Sequence, residues 1–205
     1  MDRELAAERP VAIPHGDGFL TGSFAVPEGV RGAVIVANDA GCARHVPALR
    51  ALAAELRRSG LATLMVDVAA EGPDEIATRI DSARRWLAYG KLAAIAPVVV
   101  GLGEAAPAAL LSAAARPSPL QAVVACGPRP DTAGIALEML DAPVLLVAQS
   151  GQLSDIGPHV RALGRLRGKR DMAVLRETPD AIKHAVDIGR AVVAFLNPGQ
   201  VRHAA

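Results

Sequence analysis

Aromatic side chains are scarce in this chain, since Phe, Trp and Tyr together make up 2% of its 205 residues. Apolar residues nonetheless account for 51%, which excludes a disordered chain, so the core must be built from Ala, Val and Leu. Aromatic platforms on which nucleic-acid bases stack are not expected. With 22 basic and 21 acidic residues, the formal net charge of +1 gives no reason to expect a nucleic acid or a membrane as a partner.

Cysteines are scarce as well. Cys42 and Cys126 are too few for a disulfide framework or a four-cysteine zinc site, and we expect no cofactor. The mixed charges of residues 1–5 leave no apolar core for a secretory signal. No apolar run reaches the roughly 20 residues that a membrane span needs. These absences favour a cytoplasmic protein.

Short β-branched runs alternate with longer stretches rich in Ala, Leu and Arg. Strands are predicted at 32–37, 61–68, 97–100, 122–126, 143–148 and 172–175, and helices at 45–58, 74–89, 104–115, 133–140, 154–167 and 181–196. Apolar strands that are each followed by a helix indicate a mainly parallel sheet covered on both faces. Upstream, 11–13 and 19–26 flank His15-Gly16-Asp17-Gly18 and predict an antiparallel hairpin, with His15 solvated in its turn.

The chain shows no internal repeat, low-complexity tract or linker. We therefore predict a single α/β domain over residues 1–205, with a sheet of about seven to eight strands. The antiparallel hairpin falls within residues 1–30, and residues 198–205 are expected to form a flexible tail. In such a sheet, ligands bind outside the carboxyl ends of the parallel strands, so the loops that follow those strands are the candidate site.

Three stretches carry a resemblance to a known family. They are a strand, loop, helix and second strand at 33–67, the turn Gly101-Leu102-Gly103-Glu104-Ala105, and the segment 122–134. In order and spacing they resemble the α/β-hydrolase superfamily, and within it the small bacterial dienelactone-hydrolase-like esterases. The resemblance implies an α/β-hydrolase fold, ester hydrolysis and four functional positions: a nucleophile on a sharp turn, an acid, a histidine and an oxyanion loop.

The nucleophile position of that pattern falls on Gly103. Glycine has no side chain and cannot attack a carbonyl carbon. A register shifted by one residue places Glu104 there instead, and carboxylates do serve as covalent nucleophiles in some enzymes.

The other three positions depart from the pattern or match it only in part. The acid position falls on Gln152 or Gly151, neither of which can stabilise an imidazolium by charge. His184 is the candidate for the histidine. The oxyanion loop, usually His-Gly-x-Gly, reads Asn38-Asp39-Ala40-Gly41, and a carboxylate there opposes a developing negative charge.

The leading interpretation is a hydrolase-family pseudoenzyme that has lost classical ester hydrolysis and binds a small-molecule ligand or a partner. Its predicted ligand-binding residues are Asn38, Asp39, Gly103, Cys126 and Gln152.

Two alternatives remain open. The first is an active ester or lactone hydrolase with a displaced nucleophile, either Cys42, assisted by His184 or His45, or Glu104. The second is a structural protein that forms a homodimer, which light scattering at micromolar concentration tests.

Overall fold

The N-terminal hairpin forms as predicted. The computed structural model describes residues 7–38, 46–115, 119–151 and 153–197, leaving out the side chains of 153–155, and the predicted tail lies outside these ranges. Strand β1 (Arg9–His15) pairs antiparallel with β2 (Gly18–Ala25). Gly16, in the turn, has a φ of 53°, a left-handed conformation that glycine adopts at no steric cost.

Six parallel strands continue the sheet beyond the hairpin. They are β3 (Gly32–Asn38), β4 (Leu61–Asp67), β5 (Val98–Leu102), β6 (Ala122–Cys126), β7 (Val144–Gln149) and β8 (Arg170–Leu175). The order across the sheet is β1-β2-β4-β3-β5-β6-β7-β8, and β2 joins β4 in antiparallel pairing. Since β3 has β4 on one side and β5 on the other, the strand order reverses there, which is where α/β sheets open a ligand crevice.

Helices cover both faces of this sheet. One face carries α1 (Val46–Arg58) and α6 (Ala181–Leu196), and the other carries α2 (Pro73–Ala88), α3 (Ala105–Ala115), α4 (Ala136–Met139) and α5 (Leu153–Arg165). On β3, Ile35 joins the core under α2 and α3, whereas Val34 and Val36 join the core under α1 and α6. Each fully buried Val, Leu or Ile contributes about 1.5–3 kcal/mol, so the β-branched strands stabilise both layers. The described residues thus form the predicted α/β sheet.

One predicted helix is wrong in its extent. Residues 133–140 do not form one helix, because a 3₁₀ helix at Pro130–Ala133 and the short α4 are separated at Gly134. Gly134 has φ 58° and ψ −131°, which lies far from helical geometry and suits glycine. Side chains of α5 hold both pieces, since Arg161 pairs with Asp131 and Arg165 with Glu138, each at 2.8 Å.

The hairpin is anchored on α2 by His15, so the prediction that His15 is solvated is wrong. His15 is half-buried, and its ring nitrogens lie 3.0 Å from Ser82 Oγ and 3.1 Å from Glu75 Oε1. The sequence does not show that the hairpin turn folds back over a helix some 60 residues later in the chain.

Within the described part of the chain, every helix is too short or too polar to cross a bilayer.

Candidate ligand site at the carboxyl ends of the strands

A cavity of about 740 Å³ opens at the carboxyl ends of the central strands. Its wall includes the strand-end residues Asn38, Leu102, Cys126 and Gln149. Apolar side chains of α1 and α6, including Leu52, also line it. This is the edge of the sheet at which the sequence predicted a site.

The turn between β5 and α3 presents Gly103 to this cavity. Gly103 has a φ of 61°, and its N–H donates to the carbonyl of Cys126 at 2.9 Å. A Cβ on Gly127 would lie 2.2 Å from the carbonyl oxygen of Gly103, and a Cβ on Gly101 would lie 2.2 Å from that of Ala105. The turn therefore needs residues without side chains around it, as a sharp strand-to-helix elbow does.

Glu104 lies outside this cavity. It is exposed, immediately before α3, and does not belong to the lining. A carboxylate at that place interacts favourably with the positive end of the helix dipole. Gly103 rather than Glu104 is therefore the residue that the turn presents to the cavity.

His184 reaches the cavity from the first turn of α6. The Asp180 side chain caps that helix by accepting from the backbone N–H groups of Ile182 and Lys183. Nε2 of His184 lies 2.7 Å from Nε2 of Gln149, which places an amide N–H in position to donate to the imidazole. Burial lowers the pKa of His184, and the nearby Asp187 carboxylate raises it to a lesser extent.

Gln149, the hydrogen-bond partner of His184, was not predicted from the sequence as a site residue. The predicted acid position, Gln152, lies outside the described residues. Its neighbour Gly151 is exposed and packs against Glu177, whose Oε2 would lie 2.5 Å from an added Cβ. The sequence pattern could have indicated Gln149, since it is the polar residue that ends the apolar strand β7 at the ligand edge of the sheet.

Cys126 and Asn38 lie where the sequence predicted. Burial raises the pKa of the Cys126 thiol to about 12, so it is a neutral thiol at physiological pH. Asn38 is buried, and its Nδ2 donates to the carbonyl of Val66 at 3.0 Å, which ties β3 to β4. Asp39 and Cys42 lie outside the described residues.

His159 is a second histidine of the lining and was missed as well. It is 2% exposed on α5. Its spacing to Ala162, three residues later, and to Leu166, just past the end of α5, marks the buried face of that helix. That periodicity would have placed His159 inward, towards the sheet.

The overall architecture matches known hydrolases, although no family model matches the chain. The chain superimposes on a dienelactone hydrolase from Anabaena variabilis with a TM-score of 0.83 and 25% sequence identity, over 94% of this chain and 97% of that one. The chain has a dienelactone-hydrolase-like α/β-hydrolase fold. The esterase domain of a Rhodothermus marinus protein shares the α/β-hydrolase fold, with a TM-score of 0.77, 14% identity and coverage of 94% and 98%.

Curated relatives of this α/β-hydrolase-fold chain carry a different kind of name. Two proteins, from two strains of Mycobacterium tuberculosis, are 32% identical to it over 190 residues and are provisionally named phosphoribosyl transferases. The match covers 84% of this chain but 42% of each relative. The chain therefore spans less than half the length of the curated relatives that it matches.

In this dienelactone-hydrolase-like fold, the described lining of the cavity carries no Asp, Glu, Lys or Arg side chain. Its polar side chains are Asn38, Cys126, Gln149, His159, Thr178 and His184. Because the shifts at Cys126 and His184 both favour their uncharged forms, these two groups offer neutral hydrogen-bonding partners at neutral pH. The site can orient a small polar molecule, but its described side chains offer little charge to balance that of an ion.

Proposed function

We propose that this chain is an α/β-hydrolase-fold pseudoenzyme that lacks classical ester hydrolysis and binds a small neutral molecule in the strand-end cavity. One observation carries the proposal: Gly103, with its left-handed φ, forms the part of the sharp β5–α3 turn that faces the cavity. In an active α/β-hydrolase, a Ser or Cys projects from this kind of turn. Losing a nucleophile costs on the order of a millionfold in rate.

The partner of His184 supports the same conclusion. A working triad holds its histidine with a carboxylate, which stabilises the imidazolium that forms when the nucleophile loses its proton. Here the described partner is the neutral amide of Gln149 at 2.7 Å. Burial lowers the pKa of His184 and so disfavours the imidazolium further.

Neither Cys126 nor Glu104 supplies a substitute nucleophile at the cavity. With a pKa of about 12, the Cys126 thiol is almost wholly protonated at pH 7, and the thiolate is the reactive form. Glu104 is exposed and outside the lining. The alternative based on Cys42 stays a prediction, which thiol labelling at neutral pH tests.

The uncharged lining of the cavity favours a neutral ligand. Apolar side chains of α1 and α6 share the lining with neutral polar groups. A charged ligand would lose its hydration here without a described countercharge, at a cost of several kcal/mol. A small ester, lactone or amide, whose carbonyl oxygen accepts one or two hydrogen bonds, suits this lining better.

We do not extend phosphoribosyl transfer from the curated relatives to this chain. A phosphoribosyl group carries phosphate, which proteins bind with Arg and Lys side chains or with helix N-termini. Of these, the described cavity wall offers only helix starts, at Gly103 before α3 and at Ala181 of α6. These relatives are more than twice as long as this chain, so their name covers much additional sequence. This chain itself has a hydrolase fold.

The first experiment measures hydrolysis of p-nitrophenyl acetate by the purified chain and by His184→Ala. We expect both proteins to stay within about tenfold of the uncatalysed rate, because the nucleophile is absent. Ordinary esterase turnover that is lost in His184→Ala would overturn the proposal.

The second experiment tests ligand class by thermal unfolding in the presence of dihydrocoumarin, a neutral lactone, or of its ring-opened hydroxy acid. We expect the lactone to raise the Tm and the carboxylate to do so less, because the described lining carries no countercharge. Leu49→Arg, which introduces a cation at a half-buried position of the lining, should reverse this preference. Equal stabilisation by both compounds would contradict the proposal that the cavity prefers a neutral ligand.

A further inference from the structure

A larger cavity, of about 1040 Å³, lies between the N-terminal hairpin and the C-terminal half of α2. Its lining comes mainly from the ends of β1 and β2, from residues 82–87 of α2, and from the segment 89–92 that follows this helix. It shares no lining residue with the strand-end cavity. The proposed function assigns no role to it.

This hairpin cavity gathers most of the aromatic side chains of the chain. Phe24, Trp86 and Tyr89 line it, and the latter two are the single Trp and the single Tyr of the sequence. The Phe24 and Trp86 rings meet edge to face, with centroids 5.4 Å apart and an interplanar angle of 82°. Tyr89 is 90% exposed, which leaves a ring surface open to solvent beside Trp86.

The same cavity is lined by cations and by no carboxylate among its described residues. Arg9, Arg85 and Lys91 are all exposed, and none of them forms an ion pair with a described carboxylate. The Arg9 guanidinium lies 5.3 Å from the centre of the Phe24 ring, where it makes a cation–π contact. These three charges are therefore available to an anion.

Hydrogen bonds within the wall of the cavity hold Arg85. Its Nη2 donates to Ser82 Oγ at 2.9 Å, and the same oxygen lies 3.0 Å from Nδ1 of His15 and 3.2 Å from the carbonyl of Thr78. Ser82 is 2% exposed and bonded on all these sides, so it positions the guanidinium rather than acting as a nucleophile. His15 in turn is bonded to Glu75, which links the hairpin turn to this support.

We propose that the hairpin cavity binds a planar aromatic anion, a molecule whose ring carries or is linked to a phosphate, carboxylate or sulfonate group. The ring stacks against the indole of Trp86 and the phenol of Tyr89. The anionic group accepts hydrogen bonds from Arg85, Lys91 and Arg9. Stacking and charge-assisted hydrogen bonds act together, so neither a neutral ring nor a ring-free anion binds as well.

The test compares matched probes by isothermal titration calorimetry at low salt. AMP is compared with adenosine and with ribose 5-phosphate, and 2-naphthoate with 2-naphthalenemethanol. We expect each aromatic anion to bind at least about tenfold more tightly than its neutral or ring-free counterpart. AMP should also quench the fluorescence of Trp86, the only indole in the chain, when it is excited at 295 nm.

Variants locate the binding. Arg85→Gln and Lys91→Gln remove exposed charges and should each weaken AMP binding about fivefold or more. Tyr89→Ala should weaken it through lost stacking. Arg176→Gln, an exposed arginine outside the lining, is the matched control and should leave the affinity unchanged.

Two results would overturn this proposal: no heat and no quenching with either aromatic anion at 5 mM, or binding that Arg85→Gln and Lys91→Gln leave intact. Because the two cavities share no lining residue, esterase activity or lactone binding at the strand-end cavity leaves this test unaffected. Each proposal can therefore be contradicted without affecting the other.

Discussion

The two cavities of this molecule contrast in chemistry. The cavity at the strand ends is lined by aliphatic side chains, backbone and uncharged polar groups, with no Phe, Tyr or Trp among its described residues. The cavity under the hairpin has three aromatic rings and three cations in a chain that is only 2% aromatic. The cavity at the position of the usual α/β-hydrolase active site therefore has fewer charged and aromatic side chains than the hairpin cavity.

Under our proposal, this molecule keeps the fold of a hydrolase without the reactivity of the usual site. The strand-end turn keeps the backbone shape of an elbow, with Gly101 and Gly127 cleared of side chains, yet Gly103 presents only backbone there. Close packing alone can hold the turn in this shape, because the backbone at Gly127 lies directly against that of Gly103. The shape therefore needs no chemical role to be kept. Charge and aromatic rings, which the core does not require, are found at the hairpin cavity instead.

The largest expected effect comes from filling the space that shapes the strand-end cavity. In Gly127→Ala, the new Cβ would lie 2.2 Å from the carbonyl oxygen of Gly103 and 2.8 Å from Cβ of Ala106. Overpacking against backbone should cost about 3 kcal/mol in the free energy of unfolding, measured in urea.

The matched control is Gly164→Ala on α5, where nothing lies within 4 Å of an added Cβ. That change should stabilise the chain by about 0.5–1 kcal/mol, because alanine favours the helix. Equal effects of the two substitutions would mean that the elbow is not tightly packed.

A second substitution makes the neutral cavity charged. Gln149→Glu places a carboxylate where the amide now meets Nε2 of His184, and should raise the pKa of that histidine. Because the raised pKa favours the imidazolium, the added stability is present below the unfolded pKa of about 6.5 and is lost as the pH rises. For a half-exposed pair we expect about 0.5–1 kcal/mol at pH 5.

NMR titration of the His184 ring protons measures this change directly. Gln149→Met, which adds no charge, is the control and should leave the pKa of His184 below its ordinary value. Identical titration of the two variants would show that residue 149 and His184 do not interact in solution.

A smaller effect is expected at the support of the hairpin cavity. Ser82→Ala removes the oxygen that Arg85 and His15 share, at a cost of about 0.5 kcal/mol after the gain in helix propensity. AMP affinity should fall a few-fold because the guanidinium loses its anchor. Unchanged affinity, with Arg85→Gln still harmful, would show that Ser82 does not position Arg85.

The smallest effect concerns Asp187, whose negative charge raises the pKa of His184. Asp187→Asn should therefore lower that pKa further. A depressed histidine pKa leaves stability intact above the unfolded pKa and reduces it as the pH falls through the folded pKa. We expect Asp187→Asn to lose roughly 0.3 kcal/mol more than the parent chain between pH 8 and pH 5, by thermal unfolding in each buffer.

The architecture was largely predictable from local patterns. Apolar β-branched runs such as Val98–Leu102 and the glycine turn at Gly16 gave the strands and the hairpin, because burial and turn chemistry act over a few residues. The predicted helix over 133–140 failed because alanine and leucine favour helix there, while Gly134 takes a non-helical conformation.

The site was predictable only in part. The sequence placed His184, Gly103, Asn38 and Cys126 at the ligand edge, and all four line the cavity. Each of them ends a strand, follows one or lies in the first turn of the helix after one. The contact between Gln149 and His184 joins residues 35 positions apart, and no local pattern records such a distance. The role of each of these residues stays a prediction.

The sequence by itself determined the alternation of strands and helices and the glycine at the elbow, because burial, propensity and turn geometry depend on near neighbours along the chain. Only the tertiary structure decided which side chains face each other across the two cavities. His15 meeting Ser82 and Glu75 is such a case, as is Trp86 against Phe24. Those contacts arise from packing between distant segments, and packing also sets the burial that keeps Cys126 neutral and lowers the pKa of His184.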